Sequence, residues 1–230
     1  MIVEAAIGAV VAGGIAHGMF YRNSPIFGRV LRHLPPSAEP TVALTFDDGP
    51  NPEATPALLD ALAGEGIHAT FFILGRHADR WPELVRRITA DGHMVGNHGY
   101  FHRKLHLKSP RYVRQDLELG TRIIEQASGV RPTVFRAPHG FRSPWVTGIA
   151  RSLGQRTVGW SLGVWDSDRP GVEEIVKRTV EGARPGSILL LHDGDGYDAR
   201  GDRMQTARAV PIIIDSLRAQ GYRFVTLDAA

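Results

Sequence analysis

The sequence contains no cysteine, so disulfide bonds and thiolate metal ligands are excluded for all 230 residues. It also lacks a strong charge of one sign, because 27 lysines and arginines face 24 aspartates and glutamates. It has no glycine-rich phosphate loop, low-complexity run or alternation of basic and aromatic residues, which argues against nucleotide and nucleic-acid binding. What is present is 43% hydrophobic residues, enough to bury the core of one undivided domain.

Short apolar runs alternate with helical patterns along the chain. Strands are predicted to end near Phe46, Ile73, Asn97, Arg136, Trp160, Leu191 and Thr226. Helices are predicted between them over residues 55–63, 82–90, 110–127, 172–181 and 206–220. This alternation predicts parallel strands in a single α/β barrel, with polar residues gathered at the carboxyl ends of the strands.

Two aspartates follow the first predicted strand. The apolar run 42–46 stops before a Gly-Pro pair, so Asp47 and Asp48 stand at its end. Neighbouring side chains on a strand point to opposite faces, but the turn breaks the pleat and lets both carboxylates face one site. One could then hold a divalent cation while the other takes a proton from water. The alternative is an exposed polar turn.

His98 and His102 are four residues apart, a spacing that puts both imidazoles on one side of a helical turn. In a chain with ten histidines such a pair is weak evidence by itself. Two imidazoles and one carboxylate, however, leave coordination positions open for water and substrate, as in catalytic zinc sites. The same set serves non-haem iron oxygenases, so the ligand types alone leave the reaction class open.

His192 and Arg136 also follow apolar runs. Residues 188–191 are short enough for a buried strand, which would place His192 at its carboxyl end. Near a carboxylate such as Asp166, that imidazole would hold its proton more tightly and could deliver it to a departing amine. Taken singly, a histidine after a strand is more often a core or rim residue, and an arginine is more often a surface cation.

Five ordered motifs contain these residues, and together they resemble the motifs of NodB-type polysaccharide deacetylases, carbohydrate esterase family 4. The motifs are TFDDGP at 45–50, HGYFH at 98–102, RAPHG at 136–140, WSLGVWD at 160–166 and LLLH at 189–192. The resemblance extends over about residues 43–227. It implies a distorted (β/α) barrel of seven or eight units. It also implies a metal-dependent amide hydrolase that removes N-acetyl groups from a hexosamine-containing, peptidoglycan-like or chitin-like glycan and releases acetate.

The resemblance implies roles for the residues of the early motifs. Asp47 would be the general base. Asp48, His98 and His102 would bind Zn2+ or another divalent metal such as Co2+. Arg136 would pair with the base.

The later motifs would complete the site. His192 would be the general acid, and Asp166 would tune it. The backbone N–H of His139 would help bind the oxyanion. Leu191 would form the floor of the acetyl pocket, and Trp165 would stack on a sugar ring.

Four positions depart from the pattern of the family. Gly99 stands where Ser or Thr is usual, so a hydroxyl that braces the ligand loop is missing. His139 replaces a tyrosine, but a contact made by the backbone N–H of this residue would not depend on its side chain. Gly163 and Ser167 replace an aspartate and a tryptophan in the fourth motif. We therefore expect a change in substrate preference rather than in the core chemistry.

Residues 1–38 are predicted to form an apolar segment and linker before a catalytic domain over 39–230. Residues 5–21 are at the lower length limit for a bilayer span, so a membrane anchor and a helix packed on the barrel both stay open. The arginines that follow favour a cytoplasmic catalytic domain by the positive-inside tendency. The family resemblance and the pI near 9.5 favour the cell envelope, beside anionic polymers.

A sugar-binding protein without turnover is a further alternative, favoured by Gly99 and the altered fourth motif. The presence of every residue needed for proton transfer and metal binding favours hydrolysis. Peptidoglycan, chitin fragments, acetylated xylan and lipid-linked sugars all fit as the substrate, and the oligomeric state stays open.

Overall fold

A computed structural model describes residues 2–228, in which strands and helices alternate as the hydrophobic pattern predicts. The strands are β1 (Thr41–Asp47), β2 (Thr70–Ile73), β3 (Met94–Asn97), β4 (Val134–Phe135), β5 (Arg156–Thr157), β6 (Leu162–Gly163), β7 (Ser187–His192) and β8 (Arg223–Phe224). The helices are α1 (Ile2–Phe20), α2 (Ala54–Glu65), α3 (Gly75–Arg80), α4 (Pro82–Ala90), α5 (Pro110–Ser128), α6 (Val146–Ser152), α7 (Val172–Gly182) and α8 (Met204–Ala219).

Within the described residues the strands form one curled parallel sheet in the order β5-β4-β3-β2-β1-β7-β6, and β8 pairs with β1. The N-terminal segment spans the gap between β5 and β7. The amide of Leu31 donates to the carbonyl of Thr157 at 3.0 Å, and the amide of Leu34 donates to that of Gly186 at 2.8 Å. The prediction of a distorted (β/α) barrel of seven or eight units is confirmed.

The side chains of β1 and β7 divide between two cores, because successive residues on a strand point to opposite faces. Phe46, Leu189 and Leu191 point outward into the larger cluster, which packs under the helices. Ala43 and Leu190 point into the barrel. Removing these side chains from water stabilises the fold by about 25 cal/mol for each Å² of apolar surface. The inward face leads directly to the polar residues at the carboxyl ends of both strands.

The observed elements differ from the sequence-based expectation where apolar periodicity is short. The sequence predicts one strand ending near Trp160, whereas the structure has β5 and β6 on either side of residues 158–161. Neither α3 nor α6 is predicted, since each has fewer than eight residues and little apolar repetition. The five predicted helices begin and end within two residues of their expected bounds.

The carboxyl end of α1 packs against loops at the top of the barrel. The ring of Phe20 lies 5.2 Å from that of His106 and 6.0 Å from that of Phe141, measured between centroids. In the part of the chain that is described, no helix combines the length and the apolar character that crossing a bilayer requires. The division of the chain at residue 38 stays a prediction.

Candidate active site

The carboxyl ends of β1 and β7 bring two of the predicted residues side by side. Asp47 and His192 are register partners across this parallel pair, so both inward-pointing side chains reach the same end of the barrel. Asp48 follows with a positive φ of 75°, which turns the chain out of the strand. Both carboxylates thereby face one site, as the Gly-Pro turn predicted.

Asp48, His98 and His102 form a buried cluster. The Oδ1 atom of Asp48 lies 3.3 Å from Nε2 of His98 and 3.1 Å from Nε2 of His102. One ligand atom from each of the three residues lies within 4.8 Å of the others. Three polar side chains from two distant parts of the chain are therefore gathered as a single cation would require.

The histidine pair does not lie on a helical turn, and that part of the prediction is wrong. Residues 98–102 form a loop after β3, with positive φ of 77° at Gly99 and 56° at His102. These left-handed residues fold the loop so that both rings face Asp48, with ring centroids 5.4 Å apart. The four-residue spacing thus works through loop geometry rather than helical periodicity.

Asp116 on α5 braces this loop. Its carboxylate accepts hydrogen bonds from the backbone N–H groups of Tyr100 at 3.2 Å and Phe101 at 3.1 Å. A Cβ atom at Gly99 would lie 2.5 Å from an oxygen of Asp116, so a Ser or Thr there would collide with the carboxylate. The brace that Gly99 cannot provide is supplied by a different residue.

Asn97, the last residue of β3, holds the start of the same loop. Its Oδ1 accepts the N–H of Gly99 at 2.8 Å, and its Nδ2 donates to Thr121 Oγ1 at 3.0 Å. Neither Asp116 nor Asn97 is predicted from the sequence as part of the site. A signal was present for Asp116, because a charged residue on the buried face of an amphipathic helix marks a position that needs a polar partner.

The electrostatics of the cluster fit a divalent cation. Oδ1 of Asp48 is buried and has no hydrogen-bond partner among the described residues, although the carboxyl is ionised. Burial opposes that charge, but the imidazoles of His102 and His98 outweigh it and hold the pKa of Asp48 well below its usual range. Two imidazole nitrogens and a carboxylate oxygen are a common set for catalytic zinc.

A hydrogen bond fixes the tautomer of His98 in the form that suits a metal ligand. Its Nδ1 lies 2.9 Å from the backbone carbonyl of Arg136, which can only accept, so Nδ1 carries the proton. In the neutral ring, which is the form that binds a metal, Nε2 then carries the lone pair that faces Asp48. A backbone carbonyl in this position is a frequent second partner of metal-binding histidines. Burial opposes a charge on His98, but Asp47 and Asp48 outweigh it and raise its pKa.

Arg136 orients Asp47. One guanidinium nitrogen donates to Oδ1 of Asp47 at 2.7 Å and to Oγ1 of Thr45 at 2.8 Å, and another donates to the carbonyl of Gly159 at 2.8 Å. Arg136 is fully buried. The other oxygen of Asp47, Oδ2, lies 3.7 Å from Nε2 of His98, beside the cluster. The carboxylate is therefore held at one oxygen and available at the other.

Asp166 holds His192 from the opposite side of the site. Oδ1 of Asp166 lies 2.8 Å from Nδ1 of His192, and Oδ2 accepts from the backbone N–H of His192 and from Oγ1 of Thr206, both at 2.8 Å. Burial lowers the pKa of His192, but the charge of Asp166 outweighs it and raises the pKa to about 9. His192 is therefore protonated at neutral pH with Nε2 free to donate.

A cavity of about 190 Å³ opens beside these groups. Asp47, His192, His139 and Trp165 line it. The prediction for Leu191 is wrong, because alternation along β7 turns this side chain outward into the helix-covered core. Its neighbour Leu190 points inward and lines the cavity instead.

His139 lies between the cluster and the polar loop that follows β7. Its half-buried ring is 4.5 Å from that of His102, and its Nε2 is 3.0 Å from the hydroxyl of Tyr197. Burial and the charges of His102 and His98 lower the pKa of His139 to about 4. Its imidazole is therefore neutral, unlike that of His192.

Asp193 is a further buried carboxylate, and none of the predicted site roles includes it. Its Oδ2 accepts a hydrogen bond from Oγ1 of Thr55 at 2.6 Å, and its Oδ1 has no partner among the described residues. Burial, together with the negative charges of Asp48 and Asp47, raises the pKa of Asp193 to about 7. Its position directly after His192 was the available signal.

Comparison with known sequences identifies relatives. A family profile described as polysaccharide deacetylase matches residues 35–158. A peptidoglycan-N-acetylglucosamine deacetylase of Bacillus cereus is 39% identical over 198 residues, which are 84% of this chain and 89% of that protein. A chitooligosaccharide deacetylase of Azorhizobium caulinodans is 36% identical over 191 residues, which are 79% of this chain and 90% of that protein.

Solved structures agree with the sequence relatives. A peptidoglycan N-acetylglucosamine deacetylase superposes with a TM-score of 0.80 at 32% identity, covering 87% of this chain and 91% of its own. A pseudoenzyme of carbohydrate esterase family 4 from Bacillus anthracis superposes with a TM-score of 0.76 at 26% identity, covering 84% of this chain and 65% of its own. The neighbours therefore include both an enzyme and a pseudoenzyme.

Proposed function

The chain belongs to the polysaccharide deacetylase family, and from that premise we propose that it is a metal-dependent hydrolase of N-acetylated hexosamine glycans. The reaction would convert an N-acetyl group to a free amine and release acetate. Relatives named for chitooligosaccharide and for peptidoglycan N-acetylglucosamine support this class of substrate. We further propose that the catalytic unit spans residues 39–230.

One observation carries the proposal: the buried cluster of Asp48, His98 and His102 with an unpartnered carboxylate oxygen at its centre. An unpaired buried acceptor costs about 1 to 3 kcal/mol, more when it is charged, so its persistence points to a ligand. These three residues would hold the cation, with zinc favoured by the donor types. When bound, such a cation polarises the amide carbonyl and lowers the pKa of water.

Asp47 would act as the general base. The oxygen that Arg136 leaves unbound lies beside the cluster, where it can take a proton from the attacking water. Arg136 makes the carboxylate point in one direction without neutralising its second oxygen. The backbone N–H of His139 would donate to the oxyanion of the tetrahedral intermediate, a contact that the missing tyrosine does not affect.

His192 would then act as the general acid. Its pKa of about 9 keeps Nε2 protonated at neutral pH, so the imidazole can donate to the departing amine as the carbon–nitrogen bond breaks. Asp166 stabilises the resulting arrangement by holding Nδ1. Base and acid thus lie on neighbouring strands at one end of the barrel and line the same cavity.

Glycan binding without turnover is the second candidate, because a structural neighbour is a pseudoenzyme. Two features of this chain favour it, the replaced fourth-motif residues Gly163 and Ser167. Against it stands the complete set of candidate acid, base and metal ligands at one end of the barrel. The residues that differ line the cavity wall and do not carry protons.

Acetate release separates the two candidates. The purified chain is incubated with N-acetylglucosamine oligomers and equimolar Zn2+, and acetate is quantified against the Asp47→Asn variant. The proposal expects steady acetate release by the natural chain and almost none by the variant. Binding of the oligomers without acetate release, across peptidoglycan fragments and acetylated xylan as well, would support the pseudoenzyme and overturn hydrolysis.

A further inference from the structure

Arg22 lies in the cavity although it comes from the N-terminal segment, ahead of every motif. Its guanidinium carbon is 5.0 Å from the ring centroid of Trp165 and 5.7 Å from that of Trp160. The side chain lines the same cavity as Asp47 and His192. Stacking on two indoles holds a cation at the edge of the site without neutralising it.

The backbone around Arg22 is firmly fixed. Arg142 is only 1% exposed, and its guanidinium donates to the carbonyl of Ser24 at 2.7 Å and to that of Arg22 at 3.3 Å. Asn23 donates through Nδ2 to the carbonyl of Trp160 at 2.7 Å. A buried arginine that caps the carbonyls of an irregular segment fixes the position of that segment against the barrel.

Glycine provides the room for this contact. A Cβ atom at Gly140 would lie 2.8 Å from Cβ of Arg22, and one at Gly159 would lie 2.1 Å from Oδ1 of Asn23. Gly140 also has a positive φ of 74°, which side chains disfavour. Residues of the third and fourth motif regions are thus shaped to accept the N-terminal segment.

The cavity edge carries uncompensated positive charge. Within residues 2–228, Arg22 has no carboxylate within ion-pair distance. Lys104 lines the same cavity and is exposed. The acidic residue in the lining, Asp47, is already paired with the buried Arg136. A ligand group that approaches Trp165 therefore meets cations that no carboxylate among residues 2–228 balances.

We infer that Arg22 determines specificity by binding a carboxylate on the glycan, on a sugar next to the hexosamine whose acetyl group is removed. The inference rests on the proposed function. Arg22 lies outside the matched residues 35–158, and the cavity wall beside it includes the small residues Gly163 and Ser167. A guanidinium forms two parallel hydrogen bonds to a carboxylate, a geometry that lysine does not reproduce.

Acetate release from matched oligomers tests this inference. Three substrates of equal length are compared: neutral N-acetylglucosamine oligomers, oligomers alternating with peptide-free N-acetylmuramic acid, and oligomers alternating with glucuronic acid. The two acidic substrates distinguish a lactyl carboxylate from a ring carboxylate. The natural chain should show a higher kcat/KM for one acidic substrate, by about tenfold or more, than for the neutral one.

Variants at two arginines distinguish a specific role of Arg22 from a general effect of losing a positive charge in the N-terminal segment. Arg22→Gln should lose most of the preference for the acidic substrate, because its kcat/KM should fall much further on the acidic oligomer than on the neutral one. Arg22→Lys should keep part of the preference through its charge. Arg29→Gln removes an exposed arginine of the same segment outside this cavity and should change neither value. No preference in the natural chain, or an equal loss on both substrates in Arg22→Gln, overturns the inference.

Affinity measured without turnover distinguishes a failure of the inference about Arg22 from a failure of the proposed hydrolysis. In the Asp47→Asn background, calorimetry compares the neutral oligomer with both acidic ones, with and without Arg22→Gln. If an acidic oligomer binds more tightly than the neutral one and Arg22→Gln abolishes this difference, the inference about Arg22 is supported. If in addition no acetate is released, only the proposed hydrolysis fails. Binding that does not distinguish the oligomers, or no binding of either kind, overturns the role of Arg22.

Discussion

The two sides of the cavity differ in how completely the protein satisfies their polar groups. On one side, Asp48 faces His98 and His102 with a buried oxygen that accepts no hydrogen bond from the described residues. On the other, Asp166 and His192 form a closed unit in which both carboxylate oxygens have partners. The side of Asp48, here called the incomplete side, is arranged to bind a group from outside the chain. On the side of Asp166, called the complete side, the protonation state of His192 is set before a substrate binds.

Because the two sides differ in this way, mutations of equally buried residues should have different consequences on each side. Removing a residue from the incomplete side should abolish ligand binding, because the remaining groups cannot compensate for a lost donor. Removing a residue from the complete side should shift a pKa and leave ligand binding unchanged. The largest effects are therefore expected on the incomplete side.

His98→Ala should lose both the metal and the activity. Two ligands hold a divalent cation poorly, and the contribution of the cation to catalysis is several kcal/mol, so kcat/KM should fall by about ten-thousandfold or more. Elemental analysis of the dialysed protein gives the metal content, and acetate release gives the rate. Normal metal content in this variant would remove His98 from the ligand set.

Asp47→Asn should lose activity and keep the metal. General base catalysis contributes about a hundred- to ten-thousandfold, and the amide cannot take a proton from water. The amide oxygen of the new side chain would still accept from Arg136, so the fold should survive, as circular dichroism would show. Loss of metal from this variant, with metal retained in His98→Ala, would refute the assignment of Asp47 as the base and His98 as a ligand.

Asp166→Asn should reduce activity by a smaller factor, about ten- to a hundredfold, and alter its pH dependence. Asp166 raises the pKa of His192, so the protonated acid persists up to a pH of about 9 in the natural protein. Activity that needs this proton falls as pH rises through the pKa. The variant should therefore lose activity at a lower pH, with unchanged metal content. A pH profile that keeps its alkaline limb would contradict the role of His192 as the acid.

Asp193→Asn should affect stability rather than chemistry. The pKa of Asp193 is raised to about 7 in the folded chain, whereas the ordinary pKa of an aspartate, as in the unfolded chain, is 3.8. The folded state thus binds more protons between these values, and the carboxyl destabilises the fold increasingly as pH rises from about 4 to 7.

The amide removes that effect, so Asp193→Asn should raise the free energy of unfolding by about 1 to 3 kcal/mol at pH 8 and by little at pH 4. Urea unfolding of chelator-treated protein at the two pH values measures the difference. Equal destabilisation at both pH values would mean that the side chain matters through its hydrogen bond with Thr55, not through its charge.

The motifs and strand ends made much of the site predictable, because parallel strands carry their following residues to one end of the sheet. Asp47, Asp48 and His192 could be placed from that rule alone. Leu191 could not, since its face depends on the register of one residue along β7, which a run of three leucines does not define.

Other parts depended on tertiary contacts that no local pattern records. The loop 98–102 takes its shape from left-handed residues and from Asp116, a residue fourteen positions further on than His102. Residues 1–38 are predicted only as an apolar segment and linker, with a membrane anchor or a packed helix left open. The contacts of Arg22 and Asn23 with the cavity wall involve residues more than a hundred positions away. Long-range placement of this kind requires the folded chain.

The central claim is that one divalent cation, held by Asp48, His98 and His102, is required for hydrolysis of the N-acetyl group. A zinc titration of the chelator-treated natural chain, with acetate release from N-acetylglucosamine oligomers measured at each point, tests it most directly. We expect no acetate without metal, and a rate that rises linearly with added zinc and levels off at one zinc ion per chain. Full activity in the absence of metal, or a rate that zinc does not change, would contradict it.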